Sequence, residues 1–222
     1  MKPDTPTDLT FTGERFHPDK SGEMWFEHWH RYHLVRPLVS GLRVLDVAAG
    51  EGYGSALLAG SAAQVIGIDI STQAIAHARR SYAQHHNLSF IEAPCHRLPL
   101  PDHSVDVVIS FETLEHIHEQ TAFLREIKRV LTHNGWLAIS TPNKAEYSDA
   151  RGYQNEFHVK ELYRDQLAAL LATTFTDTRW LIQRNGFHSL IHHEQSPLTA
   201  QTGQLHLHSM PARQGQISAP LY

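Results

Sequence analysis

A carboxylate and three glycines lie close together in the stretch LDVAAGEGYG, residues 45–54. The carboxylate is Asp46, and Gly50, Gly52 and Gly54 follow it at alternate positions. Glycine lets a chain turn sharply and brings its amides against a ligand. A dinucleotide favours G-x-G-x-x-G with its pyrophosphate at a helix N-terminus, but Asp46 would repel a pyrophosphate and attract an amino group. The stretch therefore favours a ligand with an amino acid at one end and a nucleoside at the other.

A second polar stretch, ISFETLEHIHE at residues 109–119, offers groups for general acid–base chemistry. Histidine changes its charge most readily near neutral pH, so it is the natural base. The candidates are Glu112, Glu115 and His116. We interpret His116 as the base, and Glu112 as a group near the amino acid end of the ligand or near its reaction partner. The alternative is that Glu115 and His116 simply begin a solvated helix.

The chain has 18 histidines, which raises the question of a metal site. A zinc site needs three or four converging ligands, and the sequence has neither a second cysteine nor an H-E-x-x-H pattern. Alternating histidines on a helix also point to different faces. We therefore predict no bound metal, although several histidines stand adjacent or one residue apart, among them His28 with His30, His116 with His118, His192 with His193, and His206 with His208.

Alternating strand and helix patterns must position these residues. Short β-branched runs predict strands, and apolar residues spaced by three and four predict the helices between them. Strands that alternate with helices indicate a parallel sheet, whereas Asn185-Gly186 indicates an antiparallel hairpin at its end. The predicted strands are 44–47, 64–70, 88–93, 105–111, 136–141, 177–184 and 187–193, and the predicted helices are 53–59, 72–86, 121–131 and 160–172.

The expected fold is thus an α/β sandwich with a mostly parallel, seven-stranded sheet that ends in an antiparallel hairpin. Ser71 is a predicted N-cap of the helix that begins at Thr72. Asn134-Gly135 is predicted to end the helix 121–131 in left-handed geometry. The glycine-rich turn lies beyond the carboxyl end of the first strand, where open α/β sheets bind their ligands.

Bulk composition excludes several classes of protein. A formal net charge of -4 disfavours binding to nucleic acid or to an anionic membrane surface. No apolar run approaches the roughly 18 residues that span a bilayer, and the polar start has no signal-peptide core. Cys95 is the one cysteine, so no internal disulfide can form, and we expect a cytoplasmic protein. The polar segment 194–222 is predicted to be a loosely attached tail.

The glycine-rich turn resembles the first motif of the class I S-adenosylmethionine-dependent methyltransferases. That motif is an acidic residue followed by G-x-G-x-G, and here Asp46 precedes Ala48, Gly50 and Gly52, with Ala48 at the first glycine position. Alanine still allows a close approach if its φ is negative. The resemblance covers about 44–193 and implies the Rossmann-like fold of that class and S-adenosylmethionine as cofactor, with S-adenosylhomocysteine as product.

Two further sequence features concern this resemblance, and the first fits the family pattern whereas the second departs from it. Asp69 in VIGIDIS comes 23 residues after Asp46, and in such enzymes this acid receives both ribose hydroxyls, with Ile70 packing on the adenine. Relatives usually bind the adenine amine with an acid after the third strand, but Pro94 stands there and supplies neither carboxylate nor N–H. Adenine recognition is therefore assigned to the Cys95 amide and to Leu98, and Phe111 is added to the cofactor-binding residues.

The element NEFHVKEL, residues 155–162, resembles N-x-F-H-V-x-E in a subset of these methyltransferases, often encoded beside glycosyltransferases of surface-polysaccharide synthesis. The same subset begins with a segment like TGERFHPDKSGEMWFEHWHRY, in which Trp25, Trp29 and Tyr32 recur at helical spacing. This helix is predicted to form a lid over the cleft, and plain packing of its aromatic residues onto the sheet is the alternative. The residues assigned to the cleft are His28, Arg31, Tyr32 and His158, with Arg15 as a weaker candidate.

The resemblance implies direct methyl transfer to a hydroxyl of a sugar or small metabolite, with His116, Glu112 and His158 as catalytic residues. The expected parts are a helical lid over 1–40, a cofactor domain over 41–193 and the tail, in a monomer or homodimer. Two alternatives stay open: a methyltransferase-like subunit without catalysis, and a nicotinamide-dependent dehydrogenase, which the glycine spacing disfavours.

Overall fold

Five parallel strands form the central sheet of the computed structural model, which describes residues 23–184. The first four strands are short runs rich in β-branched and aliphatic residues, of the kind that packs well when both faces of a sheet are covered. The strands are β1 (Arg43–Val47), β2 (Gln64–Asp69), β3 (Leu88–Glu92), β4 (Val105–Phe111) and β5 (Leu131–Ser140); the helices are α1 (Glu23–Val35), α2 (Tyr53–Ala59), α3 (Thr72–Ser81), α4 (Gln120–Val130) and α5 (Arg164–Ala172).

The strand order is β3-β2-β1-β4-β5, and all neighbours run parallel. The chain moves outward from β1 to β3 and then returns to the other side of β1 to build β4. This reversal opens a crevice at the carboxyl ends of β1 and β4, which is where doubly wound sheets bind ligands. Both polar stretches of the sequence follow those two strand ends.

Apolar side chains cover both faces of the sheet. The apolar spacing that predicts a helix over 121–131 is confirmed, since Phe123, Leu124 and Ile127 of α4 are fully buried in the core on one face. On the other face, Tyr32 and Val35 of α1 pack with residues of α2, β1 and β4. The N-terminal helix is therefore part of the folded core.

Three observed helix ends can be compared with the cap and the helix bounds that the sequence predicts. Ser71 caps α3 as predicted, because its hydroxyl accepts a hydrogen bond from the Ala74 amide at 3.3 Å. The helix ends at Ser81, earlier than the predicted residue 86. The last helix begins at Arg164 and not at Lys160, because Leu162 pairs with Asn143 in an isolated parallel bridge.

The prediction that Asn134-Gly135 ends a helix in left-handed geometry is wrong. The helix α4 ends at Val130, and both residues lie within β5 without a positive φ. Leu131 pairs with Val105 and Trp136 with Val107, so the register shifts across the intervening residues. Glycine is needed there because a Cβ on Gly135 would lie 2.9 Å from the Asp106 carbonyl oxygen.

The sheet has five strands in the described part of the chain and not the predicted seven. Residues 177–184 form no strand, so the first half of the predicted antiparallel hairpin is wrong. Its second half, 187–193, lies outside the described residues, as do the tail 194–222 and Arg15. Among residues 23–184, no helix combines the length and apolar character that a membrane span requires.

Candidate functional site

The loop after β1 adopts left-handed backbone geometry at three positions. The φ angles are 60° at Ala48, 55° at Gly50 and 85° at Gly52. The expectation of a negative φ at Ala48 is therefore wrong. A left-handed conformation costs a residue with a Cβ roughly 1–2 kcal/mol, which the surrounding loop must offset. The loop is held by hydrogen bonds from the Ala49 amide to the Ile68 carbonyl oxygen and from the Gly52 amide to the Ala49 carbonyl oxygen.

The three glycines of this loop are needed for different reasons. A Cβ on Gly52 would lie 2.6 Å from the Phe90 ring, and one on Gly54 would lie 2.1 Å from the Tyr32 ring. Those two glycines therefore make room for the protein's own side chains. A Cβ on Gly50 would meet no atom of the described chain within 4 Å. Gly50 is thus the glycine that leaves open space beside the loop.

Asp46 is completely buried at the end of β1. Its Oδ2 accepts a hydrogen bond from the Ser55 hydroxyl at 2.6 Å, and its Oδ1 accepts one from the Tyr32 hydroxyl at 3.0 Å. Burial raises the pKa of Asp46 to about 7 against the effect of these two donors, and the negative charge of Asp69 adds to the rise. Asp46 therefore ties α1 and α2 to the loop, and a direct contact with a ligand amino group stays a prediction.

The second acid, Asp69, links the ends of β1 and β2. Its Oδ2 accepts a hydrogen bond from the Gly50 amide at 2.9 Å, and its Oδ1 accepts one from the Ser71 amide at 2.8 Å. Its neighbour Ile70 is an apolar side chain that is 69% exposed. A carboxylate and an exposed aliphatic side chain next to open space are suited to a ribose diol and a flat base.

The loop after β3 contains Pro94, Cys95 and Leu98. Leu98 is only 4% exposed and packs in the main core, so little of its surface is available to a base. Cys95 is half-buried, and burial raises the pKa of its thiol. Their assignment to adenine stays a prediction. Phe111, at the end of β4, packs edge-on against Tyr32 with 5.1 Å between ring centres.

Arg31 joins the N-terminal helix to the end of β4. One of its guanidinium nitrogens lies 3.3 Å from the Glu112 carboxylate, which also accepts a hydrogen bond from the Ser140 hydroxyl at 2.6 Å. Its Nε donates to the Gln183 amide oxygen at 2.7 Å. Glu112 itself has a φ of 52°. The structure thus brings together Arg31 and Glu112, which the sequence assigns to the lid and to the catalytic groups.

His28 lies on α1 beside the same pair. Burial, with a smaller effect from the Arg31 charge, lowers the pKa of His28 to about 4. His28 is therefore neutral at physiological pH. A neutral imidazole avoids placing a second positive charge next to Arg31.

His116 and His158 meet edge to face, with 5.0 Å between ring centres. The Phe157 carbonyl oxygen lies 2.8 Å from His116 Nδ1, so Nδ1 carries the proton and Nε2 carries the lone pair. Glu161 lies 2.6 Å from His158 Nδ1 and fixes that ring in the same tautomer. The structure therefore brings two of the predicted catalytic residues together, from the loop after β4 and the segment before α5.

The carboxyl group of Glu115 borders this histidine pair and is 1% exposed. Its Oε1 lies 3.9 Å from His116 Nε2, and its Oε2 accepts a hydrogen bond from the Thr141 hydroxyl at 2.8 Å. Burial, followed by the negative charge of Glu112, raises the pKa of Glu115 well above its usual range. Glu115 is therefore a buried group, so the interpretation that it begins a solvated helix is wrong for this residue.

Glu115, His116 and His158 each direct one possible ligand atom to within 4.8 Å of the other two. The sequence alone did not indicate this convergence, because His158 comes from a distant segment. The prediction of no metal stays a prediction, and a chelator tests it below.

Several supporting residues were missed at the level of sequence. They share a role, since each donates to or orients a predicted site residue: Ser55, Ser140, Thr141, Asn155 and Glu161. Only Glu161 carries a sequence signal, because it lies three residues after His158 within the NEFHVKEL element.

Residues 45–139 match the family model described as methyltransferase domain. The chain is 42% identical over 170 residues to a probable S-adenosylmethionine-dependent methyltransferase of Mycobacterium tuberculosis, covering 75% of this chain and 61% of that protein. It is 33% identical over 141 residues to a ubiquinone biosynthesis O-methyltransferase of Neisseria meningitidis, covering 57% of each. The chain thus spans about three fifths of the length of these relatives.

The fold is similar to that of the YcgJ protein of Bacillus, with a TM-score of 0.59 at 22% identity, covering 66% of this chain and 68% of that chain. A switch-point crevice with an acid at the end of each of its first two strands defines the class as Rossmann-like α/β. Together with the family match, this shows that the chain contains a methyltransferase domain with a Rossmann-like fold and that its relatives are S-adenosylmethionine-dependent methyltransferases.

Proposed function

We propose that this chain transfers a methyl group from S-adenosylmethionine to a hydroxyl of a sugar or small metabolite. The observation that carries the proposal is the open space at Gly50, bordered by the Asp69 carboxylate and the exposed side chain of Ile70. S-adenosylmethionine, the cofactor of this family, supplies when bound a methyl group on a positively charged sulfur.

The residues around the crevice are suited to that cofactor. Asp69 would receive the ribose hydroxyls, because its two oxygens already face the loop amides that border the open space. Ile70 would pack on the adenine. Asp46, held by Tyr32 and Ser55, would keep the loop in shape and add negative potential near the amino group.

The N-terminal helix α1 is proposed to act as the lid of the crevice. Its Tyr32 fills the space above Gly54, and its Arg31 reaches Glu112 at the end of β4. A helix in this position excludes water from the reacting atoms and shapes the pocket for the acceptor. Glu112 and Arg31 then border the acceptor side of the crevice.

His116 is proposed to take the proton of the acceptor hydroxyl at Nε2. The Phe157 carbonyl oxygen holds the proton on the other ring nitrogen, so Nε2 has the lone pair for this task. The nearest oxygen of Glu115 lies 3.9 Å from Nε2, beyond hydrogen-bond distance, so it does not occupy this lone pair. His158, oriented by Glu161, packs on the same ring and limits its rotation.

Replacement of His116 tests this assignment. The His116→Ala variant should bind S-adenosylhomocysteine like the wild type and lose about 10²–10⁴-fold in turnover, the usual contribution of a general base. His118→Ala, at an exposed histidine two residues away, is the matched control and should turn over normally. Release of S-adenosylhomocysteine is measured with a panel of glucosides, with phenols and amines for comparison.

Turnover of His116→Ala at the wild-type rate would show that the base assignment is wrong. Methylation of amines in preference to the glucosides would show that the proposed acceptor class is wrong.

A further inference from the structure

We propose that a cavity of about 410 Å³ beside the histidine pair binds an anionic group, a carboxylate or a phosphate, carried by the methyl acceptor. The proposal rests on the proposed function, since it concerns the acceptor of the same reaction. The residues that line this cavity include Gln120, Lys144, Lys160, Glu161, Tyr163 and Gln166.

Two lysines on separate segments supply positive charge to this cavity. The Lys144 amide donates to the Leu162 carbonyl oxygen, and the Lys160 amide donates to the Glu115 carbonyl oxygen, each at 3.0 Å. Both backbones are therefore held in place before any ligand binds. Lys144 Nζ lies 5.3 Å from the centre of the Tyr163 ring. Within residues 23–184, neither ammonium group forms an ion pair.

Two helices also direct their N-terminal turns to the cavity. Gln120 is the first residue of α4, Tyr163 is the N-cap of α5, and Gln166 belongs to the first turn of α5. The partial positive charge of a helix N-terminus attracts anions. Combined with the two lysines, it gives the cavity a preference for a negatively charged group.

A buried amide points to a ligand that also carries hydroxyls. Gln120 is 2% exposed, and its Nε2 donates to the carbonyl oxygens of Leu114 and Lys160. Its Oε1 accepts no hydrogen bond from any residue of the described chain. A buried acceptor without a donor costs free energy. A hydroxyl beside the anionic group of the ligand would supply that donor.

Two lysines and one carboxylate, that of Glu161, are part of the cavity wall, so positive charge is in excess among the wall residues. Glu161 accepts hydrogen bonds from His158 and from the Ser148 hydroxyl, so part of its hydrogen-bonding capacity is already used within the protein. Asp165 is exposed in the first turn of α5. Glu161 also connects the two sites, because the same side chain lines the cavity and orients His158. An acceptor anchored by its anionic group in the cavity would therefore lie next to the histidine pair.

Binding of three probes tests the proposal without any turnover. Glucose 6-phosphate, glucuronate and glucose are titrated by NMR into the full chain saturated with S-adenosylhomocysteine. We expect at least one anionic probe to bind about tenfold more tightly than glucose, as expected for a hydrogen bond to a charged group. If glucose 6-phosphate binds more tightly than glucuronate, the cavity prefers a phosphate, and the reverse order indicates a carboxylate.

The Lys144→Gln/Lys160→Gln double variant should lose this tenfold preference and keep its affinity for S-adenosylhomocysteine. Lys128→Gln, at an exposed lysine of α4 that is not part of the cavity wall, is the matched control and should keep the preference. The proposal is overturned if neither anionic probe exceeds glucose, if the double variant binds like the wild type, or if the control loses the preference equally. Failure of the methyltransferase proposal would appear separately, as absent binding of S-adenosylhomocysteine.

Discussion

The buried carboxyl group of Asp46 should make the stability of the protein depend on pH in a way that Asp46→Asn removes. Burial raises the pKa of Asp46 from 3.8 to about 7, so the folded state holds a proton that the unfolded state releases. The stabilisation from that proton is complete below the unfolded pKa and is lost as pH rises through the folded pKa. Between pH 5 and pH 8 these two pKa values predict a loss of about 2–3 kcal/mol in the free energy of unfolding.

Asparagine has the shape of the protonated carboxyl group and does not titrate. The Asp46→Asn variant should therefore gain stability relative to the wild type by about 2–3 kcal/mol between pH 5 and pH 8. Urea denaturation at a series of pH values measures this difference, in which the other titrating groups cancel. The same variant should bind S-adenosylhomocysteine more weakly, because it removes negative charge from the loop. A wild-type-to-variant difference that stays constant with pH would refute the reasoning.

Three further predictions concern packing, the second acid and metal. Gly54→Ala should lower the free energy of unfolding by about 1–3 kcal/mol, because the new Cβ would lie 2.1 Å from the Tyr32 ring; urea denaturation measures this. Asp69→Ala should weaken binding of S-adenosylhomocysteine at least tenfold in calorimetry, because it removes the acceptor for the Gly50 amide as well as the ribose contact. Overnight treatment with EDTA should leave turnover unchanged, and loss of turnover that zinc or magnesium restores would show that Glu115, His116 and His158 hold a metal.

The parallel sheet and its crevice could be predicted from the sequence because their signals are local. Short β-branched runs, the Ser71 cap and the apolar stripe of α4 all depend on neighbouring residues. The predicted hairpin at Asn185-Gly186 failed at 177–184 because a turn signal says nothing about whether a sheet edge is available for pairing. The prediction at Asn134-Gly135 was wrong for a related reason, because residues on both sides of this pair are paired with β4 and so place it within β5.

Much of the candidate site depends on contacts between distant segments. The positions of Asp46 and Asp69 followed from motif spacing, but the Tyr32 hydroxyl as a partner of Asp46 required the packing of α1. The meeting of His116 with His158 joins residues 42 positions apart and leaves no periodic trace in the sequence. The positive φ of Ala48 was missed because an alanine gives no signal of left-handed geometry.

Calorimetric titration of the purified protein with S-adenosylhomocysteine, with NAD as the control ligand, tests directly whether the crevice binds the methyltransferase cofactor. We expect micromolar binding of S-adenosylhomocysteine and no heat with NAD, because the open space at Gly50 beside Asp69 would hold a nucleoside joined to an amino acid. Absence of binding would contradict the proposed methyltransferase function. It would mean that Pro94 prevents adenine recognition and that the fold serves a protein partner without catalysis. Binding of NAD alone would instead indicate a dehydrogenase.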